Sequence, residues 1–166
     1  MRYPLTKIKV NDICAEVGVW KGNFSSRILE RNPKALHLID PWVSQDYKGR
    51  WYSCPQRKMD KIYQRVVNKF KEDDRVIIHR NFSTEPPFPA RFFDWVYIDG
   101  NHSYPAVLKD LEFYSRHVKR GGFLCGDDYG WTDKSCTKGP KVAVDEFTTK
   151  YNLPLEVKRN QFIISM

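Results

Sequence analysis

Residues 13–22 read Ile-Cys-Ala-Glu-Val-Gly-Val-Trp-Lys-Gly, and the chain goes on as Asn-Phe-Ser-Ser-Arg-Ile-Leu. An apolar run that meets Glu16, Gly18 and Gly22 predicts a buried strand over 13–19 and a tight turn. A short helix through Phe24, Ile28 and Leu29, capped by Asn23, then follows. Glycines at a strand-to-helix turn let the backbone bend sharply and come close to a ligand. A pyrophosphate-binding turn of this kind asks for Gly-x-Gly-x-x-Gly, whereas position 20 here is Trp and position 21 is Lys. The loop therefore suits a ligand without phosphates, or it is a plain tight turn.

Working outward from that turn, strand-like and helix-like segments alternate to the end of the chain. This pattern argues for a mostly parallel sheet covered by helices. The second strand is read over 35–40, the third over 75–79, the fourth over 93–99 and the fifth over 123–127. Met59, Ile62, Tyr63, Val66, Val67 and Phe70 recur at three-four spacing and mark one apolar helix face. Ser103 followed by Tyr104 and Pro105 opens another helix, with Tyr104, Val107, Leu108, Leu111 and Val118 turned inward. Gly121 and Gly122 are read as its stop. A helix over 142–150 precedes two short strands, 155–158 and 161–165, separated only by Arg159 and Asn160. So short a link permits an antiparallel hairpin and no parallel crossover. Two irregular stretches interrupt the alternation: an aromatic-rich one over 41–55, with Trp42, Tyr47, Trp51 and Tyr52, and a Pro-rich one over 85–89.

Composition bounds the rest. The 166 residues suffice for one domain, read as 1–166. No apolar run approaches the roughly 18 residues that cross a bilayer, and the first residues lack a secretory signal pattern. Cys14 and Cys125 lie in apolar strand-like runs, and none of the four cysteines forms a metal-type Cys-x-x-Cys pair, so a reduced cytoplasmic setting is the expectation. The net charge of +8 permits an anionic partner, but the basic residues are dispersed and interleaved with apolar ones as on solvated helix faces. Nucleic acid and membrane are thus not the expected partners.

Three further places carry chemistry. Asp40 closes the second strand 22 residues beyond Gly18, where a carboxylate can bond ribose hydroxyls; the alternative is a turn former ahead of Pro41. Asp99-Gly100-Asn101-His102 ends the fourth strand and Gly126-Asp127-Asp128-Tyr129 the fifth, and carboxyl ends of neighbouring parallel strands converge on one crevice. Asp99, Asp127 and Asp128 offer carboxylates to a hard cation such as Mg²⁺, or else cap helices and loop amides. His102 is the candidate general base, or a packed residue that orients the loop.

These segments together resemble class I S-adenosylmethionine-dependent methyltransferases, particularly the small-molecule O-methyltransferases acting on macrolide and aminocoumarin sugars. The resemblance rests on Glu-Val-Gly-Val-Trp-Lys-Gly at 16–22, Leu-Ile-Asp-Pro-Trp at 38–42 and Trp-Val-Tyr-Ile-Asp-Gly-Asn-His-Ser-Tyr at 95–104. Gly-Gly-Phe-Leu-Cys-Gly-Asp-Asp-Tyr at 121–129 and Val-Ala-Val-Asp-Glu-Phe at 142–147 complete it. It implies a single Rossmann-like α/β domain with a seven-stranded, mostly parallel sheet, a C-terminal antiparallel hairpin and helices on both faces. It implies S-adenosylmethionine as cofactor, with Glu16, Gly18 and Gly22 on its methionine side and Trp20 of the same turn in the cofactor site. Asp40 would hold the ribose, Asn81, Phe82 and Ser83 would lie near the adenine, and Asp99 would border both cofactor and acceptor. Asp99, Asp127 and Asp128 match the Mg²⁺-binding positions of metal-dependent relatives.

The reaction so implied is in-line methyl transfer to an acceptor hydroxyl, expected on a sugar or other small molecule, with His102 or Asp99 removing its proton. Only 12 residues precede Ile13, where most relatives have a longer, often helical lid. The aromatics of 42–52 are then the expected substrate contacts, and a second copy or a partner domain is expected to close the site. The rivals are an RNA- or protein-directed methyltransferase, a nicotinamide-dependent oxidoreductase and a non-catalytic nucleotide-binding module.

Overall fold

Ile13–Val17, the first strand β1, is buried nearly throughout and pairs on both sides, with β2 (Ala35–Ile39) and β4 (Phe93–Ile98), all parallel. A strand covered on both faces reads as a near-continuous apolar run, broken here only by the buried Glu16. β2 pairs in turn with β3 (Val76–His79), and β4 with β5 (Val118–Gly126), again in parallel. β7 (Gln161–Ser165) lies antiparallel to β5, and β6 (Leu155–Lys158) antiparallel to β7. The order across the sheet is β3-β2-β1-β4-β5-β7-β6. These findings come from a computed structural model that describes residues 3–45, 53–131 and 139–166.

Helices α1 (Asn23–Leu29) and α2 (Gln56–Phe70) cover one face of the sheet, with a 3₁₀ turn at Tyr3–Lys7. Their core gathers Phe24, Ile28, Met59, Ile62 and Val66 against Leu36, Leu38, Trp95 and Tyr97. Helices α3 (Tyr104–His117) and α4 (Pro140–Tyr151) cover the other face, with Val107, Leu111, Tyr114, Val144 and Phe147 against Ala15, Val17, Val96 and Leu124. The fold is therefore the single Rossmann-like α/β domain that the resemblance implied, with the mostly parallel, helix-covered sheet that the alternation predicted. The hairpin matches too: Arg159 and Asn160 both have positive φ, 51° and 65°, as a two-residue turn matched to strand twist requires.

Two local expectations are corrected. Gly121 and Gly122 do not stop α3. The helix ends at His117, and Val118 already belongs to β5. Val118 continues the inward-facing spacing of the helix, so periodicity alone could not separate it from the strand. Phe93 pairs with Val118 and Trp95 with Phe123, so residues 119–122 bulge opposite Asp94. Asn23 is not the cap of α1 either. Gly22 takes that place in left-handed backbone, φ 67°, with no side-chain cap.

The connection from β3 to β4 carries no helix. Phe88 and Phe92 from this segment pack edge-on against His37 on β2, and Phe88 also against His79 on β3. His37 Nδ1 and His79 Nε2 are 2.9 Å apart, and the two rings stack nearly parallel. Burial and its neighbour His79 lower the His37 pKa to about 4. No helix among the described residues is long and apolar enough to cross a membrane.

Candidate active site

The turn between β1 and α1 is fastened to both neighbouring strands. The Gly18 amide donates to the Ile39 carbonyl at 2.9 Å, and the Asp99 amide donates to the Val17 carbonyl at 2.8 Å. Gly18 has φ 90°, and a Cβ there would overlap the Asp99 carbonyl and come within 2.7 Å of the Gly100 nitrogen. Only glycine allows this approach of two backbones. Gly22 lies against the Phe70 ring, and its carbonyl accepts from Lys69 Nζ at 2.6 Å.

Asp40 stands at the end of β2, facing this turn. Its Oδ2 accepts from the amides of Val19 (3.0 Å) and Trp20 (2.9 Å), and its Oδ1 from the amide of Trp42 (2.7 Å). Burial raises the Asp40 pKa, while those three amides pull it down. The carboxylate thus shapes the turn first; Oδ2 is filled by its two amide donors, and Oδ1, with one donor, keeps a lone pair for a ligand hydroxyl. Glu16 is buried on β1 and accepts from the Ser25 hydroxyl of α1. Trp20 has positive φ, 53°, and its carbonyl accepts from Trp42 Nε1 at 2.9 Å. Trp42 is therefore a core residue, 1% exposed. Tyr47, Trp51 and Tyr52 lie outside the described residues.

Beyond β3, Asn81 and Phe82 are exposed, whereas Ser83 turns inward. Its hydroxyl donates to Asp110 Oδ1 on α3 at 2.5 Å, and its carbonyl accepts from the Tyr114 hydroxyl. Burial raises the Asp110 pKa to about 6, against the lowering effect of the Ser83 bond.

The two strand-end loops meet around His102. Its Nε2 lies 3.5 Å from Asp99 Oδ1 and its Nδ1 3.4 Å from Asp128 Oδ2. Nε2 is buried and has no hydrogen bond among the described residues. One ligand atom from each of Asp99, His102 and Asp128 falls within 4.8 Å of the others. Burial alone would lower the His102 pKa, but Asp99, Asp128 and Asp127 raise it above its ordinary value. The cluster thus favours positive charge between its carboxylates. Asp127 stands aside from it, its Oδ1 accepting from the Asp128 amide at 3.0 Å.

Asp128 reaches the cluster because its backbone is left-handed, φ 53°, a conformation that Asp tolerates better than most residues. Asn160 of the β6–β7 turn holds it there. The Asn160 Nδ2 donates to Asp128 Oδ1 at 3.1 Å, while its Oδ1 accepts from Gly130 and its carbonyl from Tyr129. Trp131 then sets its ring edge-on to His102, 5.6 Å between centroids. Sequence reasoning took Asn160 only for a turn residue. The signal available was an Asn suited to left-handed backbone, which says nothing of the loop it would meet.

Comparison with known proteins places the chain in a family. A family model described as a methyltransferase domain matches residues 15–129, more than half of the chain. A curated relative, the uncharacterized protein R132 of Acanthamoeba polyphaga mimivirus, is 32% identical over 62 residues, covering 36% of this chain. The match spans only 28% of that protein's length. Among solved structures, the O-methyltransferase NovP is 19% identical with a TM-score of 0.65, over 94% of this chain and 72% of that one. The N-methyltransferase NodS from Bradyrhizobium japonicum WM9, in complex with S-adenosylhomocysteine, is 13% identical with a TM-score of 0.66, over 98% and 80%. At such identities the two structures speak for the fold, and the family model carries the assignment: this chain belongs to the methyltransferase-domain family.

Proposed function

We propose that the chain transfers the methyl group of S-adenosylmethionine to a hydroxyl of a small acceptor, in the first instance a sugar, with the help of a divalent cation. The observation that carries this reading is the meeting of Asp99, His102 and Asp128 at the carboxyl ends of β4 and β5, with Asp99 also against the Gly18 turn. The cofactor's sulfonium supplies a methyl group already activated for displacement. The protein's task is then to align donor and acceptor, an effect worth up to about 7–11 kcal/mol. Gly18 opens the turn to the cofactor, and Asp40, in reach of that turn, is the carboxylate for the ribose hydroxyls. Asn81 and Phe82, exposed beyond β3, border the adenine side.

The donor set fits a cation. Asp99 and Asp128 would hold it, with Asp127 one residue away. A bound Mg²⁺ would lower the pKa of the acceptor hydroxyl. His102 Nε2, buried without a hydrogen bond, would take that hydroxyl's proton.

A second reading, with RNA as acceptor, has one observation in its favour. Arg57, Lys58, Lys61 and Arg65 lie exposed on α2 and form no ion pair among the described residues. Incubation with methyl-labelled S-adenosylmethionine and a panel of sugars, phenols and RNAs separates the readings by which class takes the label. Asp128→Asn is expected to reduce transfer at least ~100-fold with cofactor binding near that of the parent. Undiminished transfer by Asp128→Asn in the presence of EDTA would remove the cation from the mechanism.

A further inference from the structure

At the opposite end of the sheet from His102, where β4 and β5 begin, a depression of about 390 Å³ is lined by Arg91, Ser115, Arg116, Lys119, Arg120 and Met166. Four cationic side chains around one concavity repel one another, and the fold gains nothing evident from gathering them. Lys119 is neutralised, both oxygens of Asp94 lying 2.8 Å from its Nζ. The guanidinium groups of Arg91, Arg116 and Arg120 make no hydrogen bond or ion pair among the described residues.

Capping of the α3 C-terminus, a common use of basic side chains, does not account for them. The carbonyls there are already satisfied by backbone: Arg116 O accepts from the Arg91 amide at 3.0 Å and His117 O from the Phe92 amide at 2.6 Å. Those bonds also hold Arg91 in left-handed backbone, φ 53°, a conformation that arginine adopts only when its surroundings impose it. The bulge at 119–122 turns Lys119 and Arg120 to the rim, and Met166 ties this bulge down through its bonds with Gly121 and Gly122. Three walls, each fixed by backbone hydrogen bonds, thus bring Arg91, Arg116 and Arg120 to one space, while the Ser115 hydroxyl beside them already donates to the Glu112 carbonyl at 3.0 Å.

We infer that this depression is a binding site for a phosphate group of the monoester or pyrophosphate type, separate from the methyl-transfer site. Guanidinium forks match phosphate oxygens two at a time, which spherical anions cannot exploit. The volume accommodates one or two phosphates with their hydrogen-bonded neighbours. The inference stands on this depression alone and holds whatever the methyl acceptor proves to be.

Calorimetric titration of the full chain with inorganic pyrophosphate, at constant ionic strength, tests it. Saturable one-to-one binding is expected, weakened about 10-fold or more in Arg91→Ala/Arg120→Ala, whereas Arg120→Lys loses only part because it keeps the charge and not the fork. Affinity for S-adenosylmethionine should stay within about twofold in these variants, a check that they fold and that the two sites are distinct. Equal binding of pyrophosphate by parent and double variant would overturn the inference. So would equal competition by chloride and acetate, or preference for an oligonucleotide lacking a terminal phosphate, which would mark a general polyanion surface.

Discussion

Gly18 is where a single hydrogen atom in place of a side chain decides the most. Its positive φ and its closeness to the Asp99 carbonyl leave no room for a methyl group. Gly18→Ala is expected to cost about 2–5 kcal/mol, from left-handed strain and overpacking together, read as a lower denaturant midpoint with S-adenosylmethionine binding lost. Asp110 makes a different kind of prediction. Its folded-state pKa, raised from 3.8 to about 6, means the folded chain binds the proton more tightly than the unfolded one. Stability therefore falls as pH rises from about 4 to 6, and the cost is fully present above that. Asp110→Asn is expected to be more stable than the parent at pH 7 by roughly 1–3 kcal/mol, with the difference gone near pH 3.5, as chemical denaturation at several pH values would show. Gly18, Asp40 and Asp99 were legible from their spacing because a turn and two strand ends are local features. Asn160 was not, because its contact with Asp128 joins segments 32 residues apart. Asn160→Ala should lower kcat about 10-fold while leaving cofactor affinity unchanged, since it frees the loop that carries Asp128.

At the scale of elements, the His37–His79 pair bridges β2 and β3 under the aromatic cover of Phe88 and Phe92. Because the folded-state pKa of His37 lies near 4 against an ordinary 6.5, the unfolded chain takes up more protons between these values. Stability contributed here is lost as pH falls from about 6.5 to 4, opposite in sign to the Asp110 effect over the shared window. His37→Phe, which keeps a ring among rings, is expected to flatten this dependence, and the denaturant midpoint followed from pH 7 to 4 measures it. A midpoint that falls equally in variant and parent would assign acid sensitivity elsewhere. The amphipathic α2 and the β6–β7 hairpin were legible because period and turn length are properties of one segment. The junction of α3 and β5 was not. A helix passing into a strand without a loop leaves no punctuation, and the paired glycines that looked like a stop lie inside the β5 bulge instead.

Over the whole molecule, the strand order assembles the candidate site. With β1 between β2 and β4, the Gly18 turn, Asp40 and Asp99 come together at the carboxyl ends of the central strands, and β5 brings Asp128 beside Asp99. The alternation of elements predicted this sheet, but which side chains meet at its carboxyl end depends on positive φ values at Trp20 and Asp128 that residue patterns do not encode. The turn lacks the second glycine of a pyrophosphate cradle and suits a nucleoside cofactor with a sulfonium and no phosphates. Calorimetric titration of the chain with S-adenosylmethionine and, in parallel, with NAD⁺ addresses that claim directly. Saturable one-to-one binding of S-adenosylmethionine that disappears in Gly18→Ala, with no heat from NAD⁺, is the predicted result. Binding of NAD⁺ without binding of S-adenosylmethionine would contradict it.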